Sequence, residues 1–301
     1  MSDYVIESRS LSKYFGRKTA LNNLSLQLSR GGVHAVVGSN GAGKSTLFRV
    51  LLGIVNPSAG DCRVLGVDSQ SLTPDVRGRI GLVGEEHTLP GWMSVASLKE
   101  MHRSLHEGWN DATYRAVIEH FNVLPEQRVA QLSRGERAGL NLALVLGQSP
   151  ELLFLDEPTL GLDVVAKQAF LESLLTFAAD RADCTIVYCS HQMDEIERVA
   201  DSLVILEQGE LTNQSPLDEF CARISQWLVD GLPLPPESLA VPGLLQARAI
   251  DGQHHLVVLD AGERLRDYLE ATGAQRVQQV PIGFHGAVNA YLTRNHTAPS
   301  N

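Results

Sequence analysis

The feature that most constrains the fold of this chain is a glycine-rich stretch near residue 40. The short apolar run 34–37 before it predicts a buried strand, and the segment 47–52 after it predicts the first turns of a helix. Strand, glycine loop and helix in this order predict a P-loop, whose backbone N–H groups and helix N-terminus bind a phosphate. The alternative, a glycine-rich turn with an incidental lysine, is disfavoured by these flanking elements. The stretch fits the pattern G-x-x-x-x-G-K-[ST] and consists of Gly38, Ser39, Asn40, Gly41, Ala42, Gly43, Lys44, Ser45 and Thr46.

Several side chains in and beyond this loop are of types that bind phosphate or Mg²⁺. In a P-loop the lysine contacts the β- and γ-phosphates and the next hydroxyl binds Mg²⁺, so we expect these roles for Lys44 and Ser45. The apolar run 152–155 predicts a buried strand that ends at Asp156 and Glu157, where ligands bind in open α/β sheets. Asp156 would complete the Mg²⁺ site and Glu157 would polarise the attacking water. A purely structural acid pair at a strand end is the alternative.

A histidine and a tyrosine are the next candidates. His191 follows the predicted strand 185–189, which would bring it to the same sheet edge and into contact with the γ-phosphate. A polar histidine of the core or the surface is the alternative. Tyr14 lies between two predicted strands at 4–9 and 20–28. Its ring could stack on a nucleobase, or it could pack on the core at a strand end.

The composition is that of an ordinary globular chain with an acidic surface. The chain has 301 residues, a hydrophobic fraction of 44% and a formal net charge of −10, which argues against non-specific binding to nucleic acid. The four cysteines form no C-x-x-C pair and are predicted to be small core residues in a reducing compartment. We find no signal peptide and no apolar run of about 18 residues. We therefore expect a cytoplasmic protein that would need another chain to span a membrane.

The middle of the chain changes character. From about 95 to 130, helical spacing of leucine, alanine and charged residues predicts a helical insertion between two parts of the sheet. Ser133 and Glu136 then show the S-x-x-E spacing of a capping box, which predicts the start of a helix that runs to Gly147. By itself, this pattern indicates only a well-capped helix.

Together, and in this order, these motifs resemble the ATP-binding subunit of ABC transporters over roughly residues 4–228. The resemblance implies an α/β fold, a P-loop NTPase cassette with a RecA-like mixed sheet core, an antiparallel β subdomain and a helical signature subdomain at about 90–150. The matching positions are the A-loop aromatic at Tyr14, Walker A at 38–45, the signature at 132–136, Walker B at 152–156, the catalytic Glu157, the D-loop at 160–163 and the switch His191.

The resemblance also implies how the chain would work. In the family two cassettes pair head to tail, with ATP and Mg²⁺ between the P-loop of one and the signature of the other. Ser133, Gly135 and Glu136 would then bind the ATP held by a second cassette, and Asp163 of the D-loop would lie at the same interface. One cassette per chain implies a homodimer or a pair with a paralogue. The pair would drive transport through a multi-span permease on the inner face of the cell membrane.

Two departures from the family pattern stand out. The signature reads L-S-R-G-E rather than L-S-G-G-Q, so Arg134 replaces a glycine and Glu136 replaces the glutamine. Glu85 stands where the Q-loop glutamine is expected; a carboxylate there can ligate Mg²⁺ but adds negative charge near the phosphates. Three features resemble those of prokaryotic cassettes that serve ABC-2-type exporters. They are Glu85-Glu86, the short helical insertion and the Leu-Ser-Arg-Gly signature.

Beyond the cassette the sequence predicts a second, smaller region. We expect the cassette to cover 1–229 and to end in a helix that starts at Ser215-Pro216. A proline-rich linker at 230–243 would follow, and then a small α/β appendage at 244–301. Asp251-Gly252 between two strand-like runs predicts a hairpin in this appendage.

Two other functions fit the sequence less well than a transport ATPase does. A soluble ABC-type ATPase that acts on ribosomes or nucleic acid would have paired cassettes in one chain or a long coiled coil in the insertion, and this chain has neither. A small-molecule kinase built on a P-loop would leave the signature and the D-loop unexplained. We therefore expect a second cassette and a permease as partners, and no nucleic acid.

Overall fold

A six-stranded sheet of buried aliphatic strands forms the centre of the first part of the chain. In a computed structural model that describes residues 4–232, 241–262 and 264–294, this sheet has the strand order β10-β9-β3-β8-β7-β6. Neighbouring strands from β9 to β6 are parallel, which explains why β3 and β8 are buried at every position. The bounds are β3 (Val33–Val37), β6 (Ile80–Gly84), β7 (Leu152–Asp156), β8 (Thr185–Cys189), β9 (Ser202–Glu207) and β10 (Glu210–Pro216).

A second, antiparallel sheet has the order β2-β1-β4-β5. Buried and exposed residues alternate along the second half of β2, as predicted for a half-buried antiparallel strand. Both long strands extend further than the sequence predicted, because only Gly16 and Arg17 separate them. The bounds are β1 (Tyr4–Phe15), β2 (Lys18–Ser29), β4 (Ala59–Val64) and β5 (Val67–Asp68).

Seven α-helices belong to the described residues of this part. Its predicted helical subdomain contains three of them, and the last, α5, is buried from Ala138 to Gly147. Gly139 allows this close packing, since a Cβ there would lie 2.1 Å from the ring of Phe121. Short 3₁₀ turns lie at Ser69–Ser71 and Val129–Gln131. The α-helices are α1 (Lys44–Leu51), α2 (Pro74–Gly78), α3 (Val95–Leu105), α4 (Asp111–Glu119), α5 (Arg134–Gly147), α6 (Val164–Asp180) and α7 (Met193–Val199).

The helix after the glycine loop is fixed to the centre of the sheet by aromatic packing. Phe48 of α1 meets Phe154 of β7 edge to face, with ring centroids 5.1 Å apart, an arrangement that aromatic pairs favour. Both side chains are buried in one apolar cluster. The glycine loop and the acidic end of β7 therefore share one core. Within the described ranges, no helix combines the length and the apolar character needed to cross a membrane.

The second compact unit begins at Ser215, not at residue 230. Its sheet has the order β12-β13-β11-β14 and is antiparallel throughout. Asp251 and Gly252 turn the hairpin between β12 and β13 in left-handed conformations, as the sequence predicted. The bounds are α8 (Leu217–Ala222), β11 (Ile224–Asp230), β12 (Leu244–Ile250), β13 (Gln253–Leu259), α9 (Leu265–Ala271), β14 (Arg276–Val280) and α10 (Phe284–Thr293).

The predicted helix from Ser215 to about residue 229 is wrong. Only Leu217–Ala222 is helical, and Ile224–Asp230 forms the strand β11, which pairs with β13 and β14. The buried side chains of Ile224, Trp227 and Val229 contribute to the sheet, and this pairing overrides the local helix-start signal. The first compact unit ends at Gln214, whereas the cassette was predicted to cover 1–229. Of the predicted linker 230–243, residues 233–240 lie outside the described residues.

Candidate nucleotide-binding site

A pocket of about 450 Å³ opens at the carboxyl edge of the six-stranded sheet. The glycine loop follows β3, and polar side chains follow β6, β7 and β8, so four strand ends meet at this edge. A cleft of this size with convergent polar groups is the expected form of a small-ligand site. Its lining consists of Lys18, Ala20, Asn40, Gly41, Ala42, Gly43, Lys44, Ser45, Thr46, Glu85, Asp156, Glu157, Leu160, Cys189 and His191.

The glycine loop presents donors to this pocket. Gly43 precedes α1 with φ of 106°, a conformation that side chains disfavour, and a Cβ there would lie 2.4 Å from the carbonyl oxygen of Ala20. The buried ammonium of Lys44 curls over the loop and donates to the carbonyls of Gly38 and Ser39 at 2.6 and 3.2 Å. A cation and a helix N-terminus thus face the same space, which suits a polyphosphate.

The acidic side of the pocket contains a carboxylate and a histidine in contact. Glu157 has a positive φ of 50°, and its N–H donates to the carbonyl of Cys189 at 2.8 Å. Its Oε2 lies 2.8 Å from Nδ1 of His191 and also accepts from the His191 N–H at 3.3 Å. Asp156, the last residue of β7, lies beside this pair. The loops after β7 and β8 therefore bring together the two side chains that the sequence predicted to act on the γ-phosphate.

Glu85 also lines the pocket, which places the Q-loop carboxylate at the predicted site. Two residues later, His87 was missed by the sequence analysis. Its ring is buried, and its Nε2 lies 2.8 Å from the carbonyl oxygen of Pro158. Burial lowers the pKa of His87 to about 4, so the neutral ring donates to Pro158 through Nε2 and faces the Asn141 amide through Nδ1. No local pattern distinguishes such a histidine from an exposed one.

The predicted capping box is present at the start of α5. The Glu136 N–H donates to Ser133 Oγ at 3.2 Å, and the Ser133 N–H donates to the Glu136 carboxylate at 2.7 Å. At the next helix, Asp163 caps α6 by accepting from the Ala166 N–H at 2.9 Å. Gly135 lies against α6, since a Cβ there would meet that of Ala166 at 2.7 Å.

Arg134, the departure in the signature, has a partner within the same chain. Its Nη2 donates to the carbonyl oxygen of Leu160 at 2.6 Å. The guanidinium also lies over Gly161, where a Cβ would be 2.8 Å from its carbon. Arg134 therefore joins the signature to the D-loop, a contact that the linear sequence does not reveal.

The structure brings some of the predicted residues together and leaves others apart. Residues 40–46 of the glycine loop, Glu85, Asp156, Glu157 and His191 line one pocket. Tyr14 does not line it; its side chain is 45% exposed, which contradicts the alternative of a core aromatic. Six more predicted residues are absent from the described lining of the pocket, namely Gly38, Ser39, Ser133, Gly135, Glu136 and Asp163.

Comparison with known proteins gives the family. Residues 21–160 match the family model described as ABC transporter. The daunorubicin resistance ATP-binding protein DrrA3 of Streptomyces coeruleorubidus is 35% identical over 228 residues, which are 74% of this chain and 72% of that protein. The bacitracin transport ATP-binding protein BcrA of Enterococcus faecalis is 26% identical over 280 residues, 90% of this chain and 87% of that protein. The Nod factor export ATP-binding protein I of Bradyrhizobium diazoefficiens is 35% identical over 216 residues, 69% of each chain.

Solved structures share the fold. The structure of an ATP-binding subunit of an ABC transporter superposes with a TM-score of 0.65 at 24% identity, over 72% of this chain and 92% of that one. A dimeric ATP-binding cassette in a post-hydrolysis state with ADP and Pi gives a TM-score of 0.61 at 19% identity, over 70% of this chain and 98% of that one.

The fold and the pocket define a P-loop ATPase of the cassette type. The chain belongs to the ABC transporter family, as an ATP-binding subunit that hydrolyses ATP. This confirms the resemblance found in the motifs and the predicted fold class, and it is inconsistent with a small-molecule kinase.

Proposed function

We propose that this chain is the ATPase subunit of an exporter, and that it works as one of two cassettes bound to a separately encoded membrane permease. The observation that carries the proposal is the pocket in which the glycine loop faces the Glu157–His191 pair. Names of relatives support the direction of transport, since one is an export protein and another a drug-resistance protein. The protein would lie on the inner face of the cell membrane through its permease. The ribosomal alternative finds no support among these relatives.

Some of the proposed site residues would bind ATP, and others would act in its hydrolysis. Lys44 and the loop N–H groups would hold the β- and γ-phosphates, and the exposed ring of Tyr14 would stack on the base. Glu157 would accept a hydrogen bond from the attacking water and orient it in line with the γ-phosphate. His191, held at 2.8 Å from Glu157, would contact the γ-phosphate and fix that carboxylate.

The donor set of the pocket fits Mg²⁺ bound together with a nucleotide. Mg²⁺ takes oxygen ligands and is usually held by one or two carboxylates plus substrate phosphates. The Ser45 hydroxyl and the carboxylates of Asp156 and Glu85 supply such oxygens at one wall. Among the described residues no group of three or more His, Cys, Asp or Glu side chains could hold a metal alone, which agrees with an ion that arrives with ATP. When bound, Mg²⁺ would neutralise charge that develops on the phosphates.

A second cassette would complete the site. The start of α5 contains Ser133, Gly135 and Glu136. None of these residues is in the described lining of the pocket of their own chain, so they could contact ATP that is bound by a partner. The N-terminus of α5 would direct its positive end at that γ-phosphate. Asp163 and the D-loop would lie at the same interface. The partner is either a second copy or a paralogous cassette.

Replacement of Glu157 by Gln tests the chemistry. We expect Glu157→Gln to bind ATP, to hydrolyse it at least about 100-fold more slowly and to accumulate as a dimer, because a neutral amide oxygen is a far weaker base than the carboxylate that would polarise the water. Glu172→Gln, on the exposed side of α6, is the matched control and should turn over at the wild-type rate. Wild-type turnover in Glu157→Gln would refute the proposed role of this carboxylate.

Purification with its natural partners tests the transport role. The tagged full-length chain should recover a multi-span membrane protein from detergent extracts of its source cells. Recovery with ribosomes instead would favour the soluble ATPase that the sequence left as the alternative. The encoding of a hydrophobic, multi-span chain beside this one would be an independent check.

A further inference from the structure

A buried carboxylate lies behind the pocket and takes no part in the chemistry described above. Glu195 is on α7 and is only 1% exposed. Its Oε1 accepts from Thr159 Oγ1 at 2.6 Å and pairs with Lys167 Nζ at 2.8 Å. Its Oε2 accepts from the Tyr188 hydroxyl at 2.5 Å and from Ser190 Oγ at 3.2 Å. A buried charge is costly unless it is paired and hydrogen-bonded, and this one meets both conditions.

The partners of Glu195 belong to the two loops that carry the proposed catalytic pair. Thr159 follows Glu157 by two residues, and Ser190 directly precedes His191. Each oxygen of Glu195 therefore holds one loop: Oε1 holds the loop after β7, and Oε2 holds the end of β8 and the loop after it.

Lys167 and Gln192 close a network around this carboxylate. Lys167 Nζ also donates to Gln192 Oε1 at 2.7 Å, and the Gln192 N–H donates to Ser190 Oγ at 3.1 Å. The Tyr188 hydroxyl remains protonated and donating, because burial raises its pKa well above the ordinary value. Both oxygens of Glu195 thus accept from donors of this network. Loss of the Glu195 carboxylate would release both loops together.

We propose that Glu195 is a positioning residue of the ATPase site, which sets the distance between Glu157 and His191 by holding Thr159 with one oxygen and Ser190 with the other. Glu195 itself is absent from the described lining of the pocket, so its effect passes through these loops. The proposal rests on the proposed roles of Glu157 and His191. The position of a reacting group affects turnover more than it affects ground-state binding. Loss of the contacts of Glu195 should therefore lower kcat and leave KM for ATP almost unchanged.

Thr159→Val removes one hydroxyl from this network and preserves the shape of the side chain. We expect kcat to fall by about 10-fold or more and KM for ATP to change by less than about 2-fold, since small displacements of catalytic groups cost that much. Thr159→Ser keeps the hydroxyl and should retain most of the wild-type kcat. Glu195→Asp, which is too short to reach both loops, should reproduce the kcat defect and still bind ATP.

Thr185→Val is the matched control for the loss of a buried hydroxyl. Thr185 is fully buried at the other end of β8, where its Oγ1 accepts from the Gly31 N–H at 2.8 Å. It should lower the melting temperature about as much as Thr159→Val but leave kcat near the wild-type value. If both variants lose the same fraction of kcat, or if Thr159→Ser is as slow as Thr159→Val, Glu195 has only a structural role.

Glu157→Gln, measured in parallel, separates the two proposals. A slow Glu157→Gln together with a wild-type kcat in Thr159→Val and Glu195→Asp would overturn the role of Glu195 alone. A Glu157→Gln variant with wild-type turnover would overturn the assigned catalytic pair, and with it the basis for a positioning residue.

Discussion

Two helices of the cassette, α1 and α5, begin at motifs that we propose to bind a phosphate, but the backbone N–H groups of their first turns find different partners. No side chain of the described residues caps α1, which begins after Gly43 and has no acidic residue in its first turn. In contrast, α5 begins with the capping box of Ser133 and Glu136, and Glu136 brings a carboxylate into the first turn. The N–H groups of α1 remain available for a ligand, whereas two donors at the start of α5 already have partners.

The difference indicates separate tasks for the two helix starts. The start of α1 is shaped to receive a phosphate, since Gly43 adopts a left-handed conformation that favours glycine and Lys44 is held over the loop. The start of α5 is stable by itself, and the charge of Glu136 opposes that of a phosphate. We therefore expect the glycine loop to supply most of the affinity for a nucleotide. We expect α5 to contact the nucleotide only after ATP has bound to the glycine loop of the partner cassette.

The largest expected effect is that of Lys44→Ala on nucleotide affinity. Loss of this ammonium should weaken binding of ADP by at least about 30-fold, because charge-assisted contacts to the β-phosphate disappear. Ser133→Ala should leave ADP affinity within about 2-fold of wild type, since Ser133 is not among the described residues of the pocket lining. Titration calorimetry with ADP measures both. Equal losses would mean that the two helix starts share the ligand within one chain.

The close backbone approach at the start of α1 gives the second prediction. Gly43→Ala should destabilise the nucleotide-free protein by about 2 to 3 kcal/mol, because its Cβ would overlap the Ala20 carbonyl at a positive φ. Gly41→Ala has a positive φ of 85° but nothing within 4 Å of the new Cβ, so it should lose only about 1 kcal/mol. Urea denaturation compares the two. A similar loss in both variants would contradict the importance of the close approach at residue 43.

Removal of the cap of α5 should have a smaller effect on stability. Ser133→Ala should lower the free energy of unfolding by about 1 kcal/mol, the usual cost of a lost N-cap. Ser133→Asp keeps a capping acceptor and should be nearly as stable as wild type, yet its negative charge should oppose pairing around ATP. Chemical denaturation and the ATP-dependent oligomeric state, both in the Glu157→Gln background, test this pair. An unchanged stability in Ser133→Ala would show that the cap contributes nothing.

The smallest expected effect is that of Glu136→Gln. Glutamine also completes a capping box, so the free energy of unfolding should change by less than about 0.5 kcal/mol. Removal of one negative charge near a phosphate should strengthen ATP-dependent dimerisation by a few-fold, about 3-fold. Sedimentation of Glu157→Gln with and without this change gives the dimer dissociation constant. Weaker pairing would indicate that the carboxylate itself contacts the partner.

Much of the site could be predicted from the sequence because its residues are close to strand ends and helix starts. The glycine loop, the acid pair after β7 and the capping box follow local rules, and each was found where it was predicted. The roles of His87, Arg134 and Glu195 could not be predicted in this way. Each contacts a residue between 26 and 71 positions away in sequence, and the contact exists only after the sheet and helices have packed.

The error at Ser215–Asp230 has a related cause. A serine followed by a proline is a sound local signal for a helix start, and a short helix does form there. Ile224, Trp227 and Val229 then form a strand because two other strands pair with it, and one of these, β14, begins more than forty residues later. A local sequence pattern does not reveal strand pairing over such a separation.

The bond from Arg134 to Leu160 has a consequence for protein engineering. A Cβ at position 161 would displace the end of the Arg134 side chain, so the hydrogen bond to Leu160 depends on glycine at position 161 as well as on Arg134 itself. A chimera that takes its signature segment from one cassette and its D-loop from another would keep this contact only if it had arginine at 134 and glycine at 161. Positions 134 and 161 should therefore be exchanged together where the contact between the two segments is to be preserved.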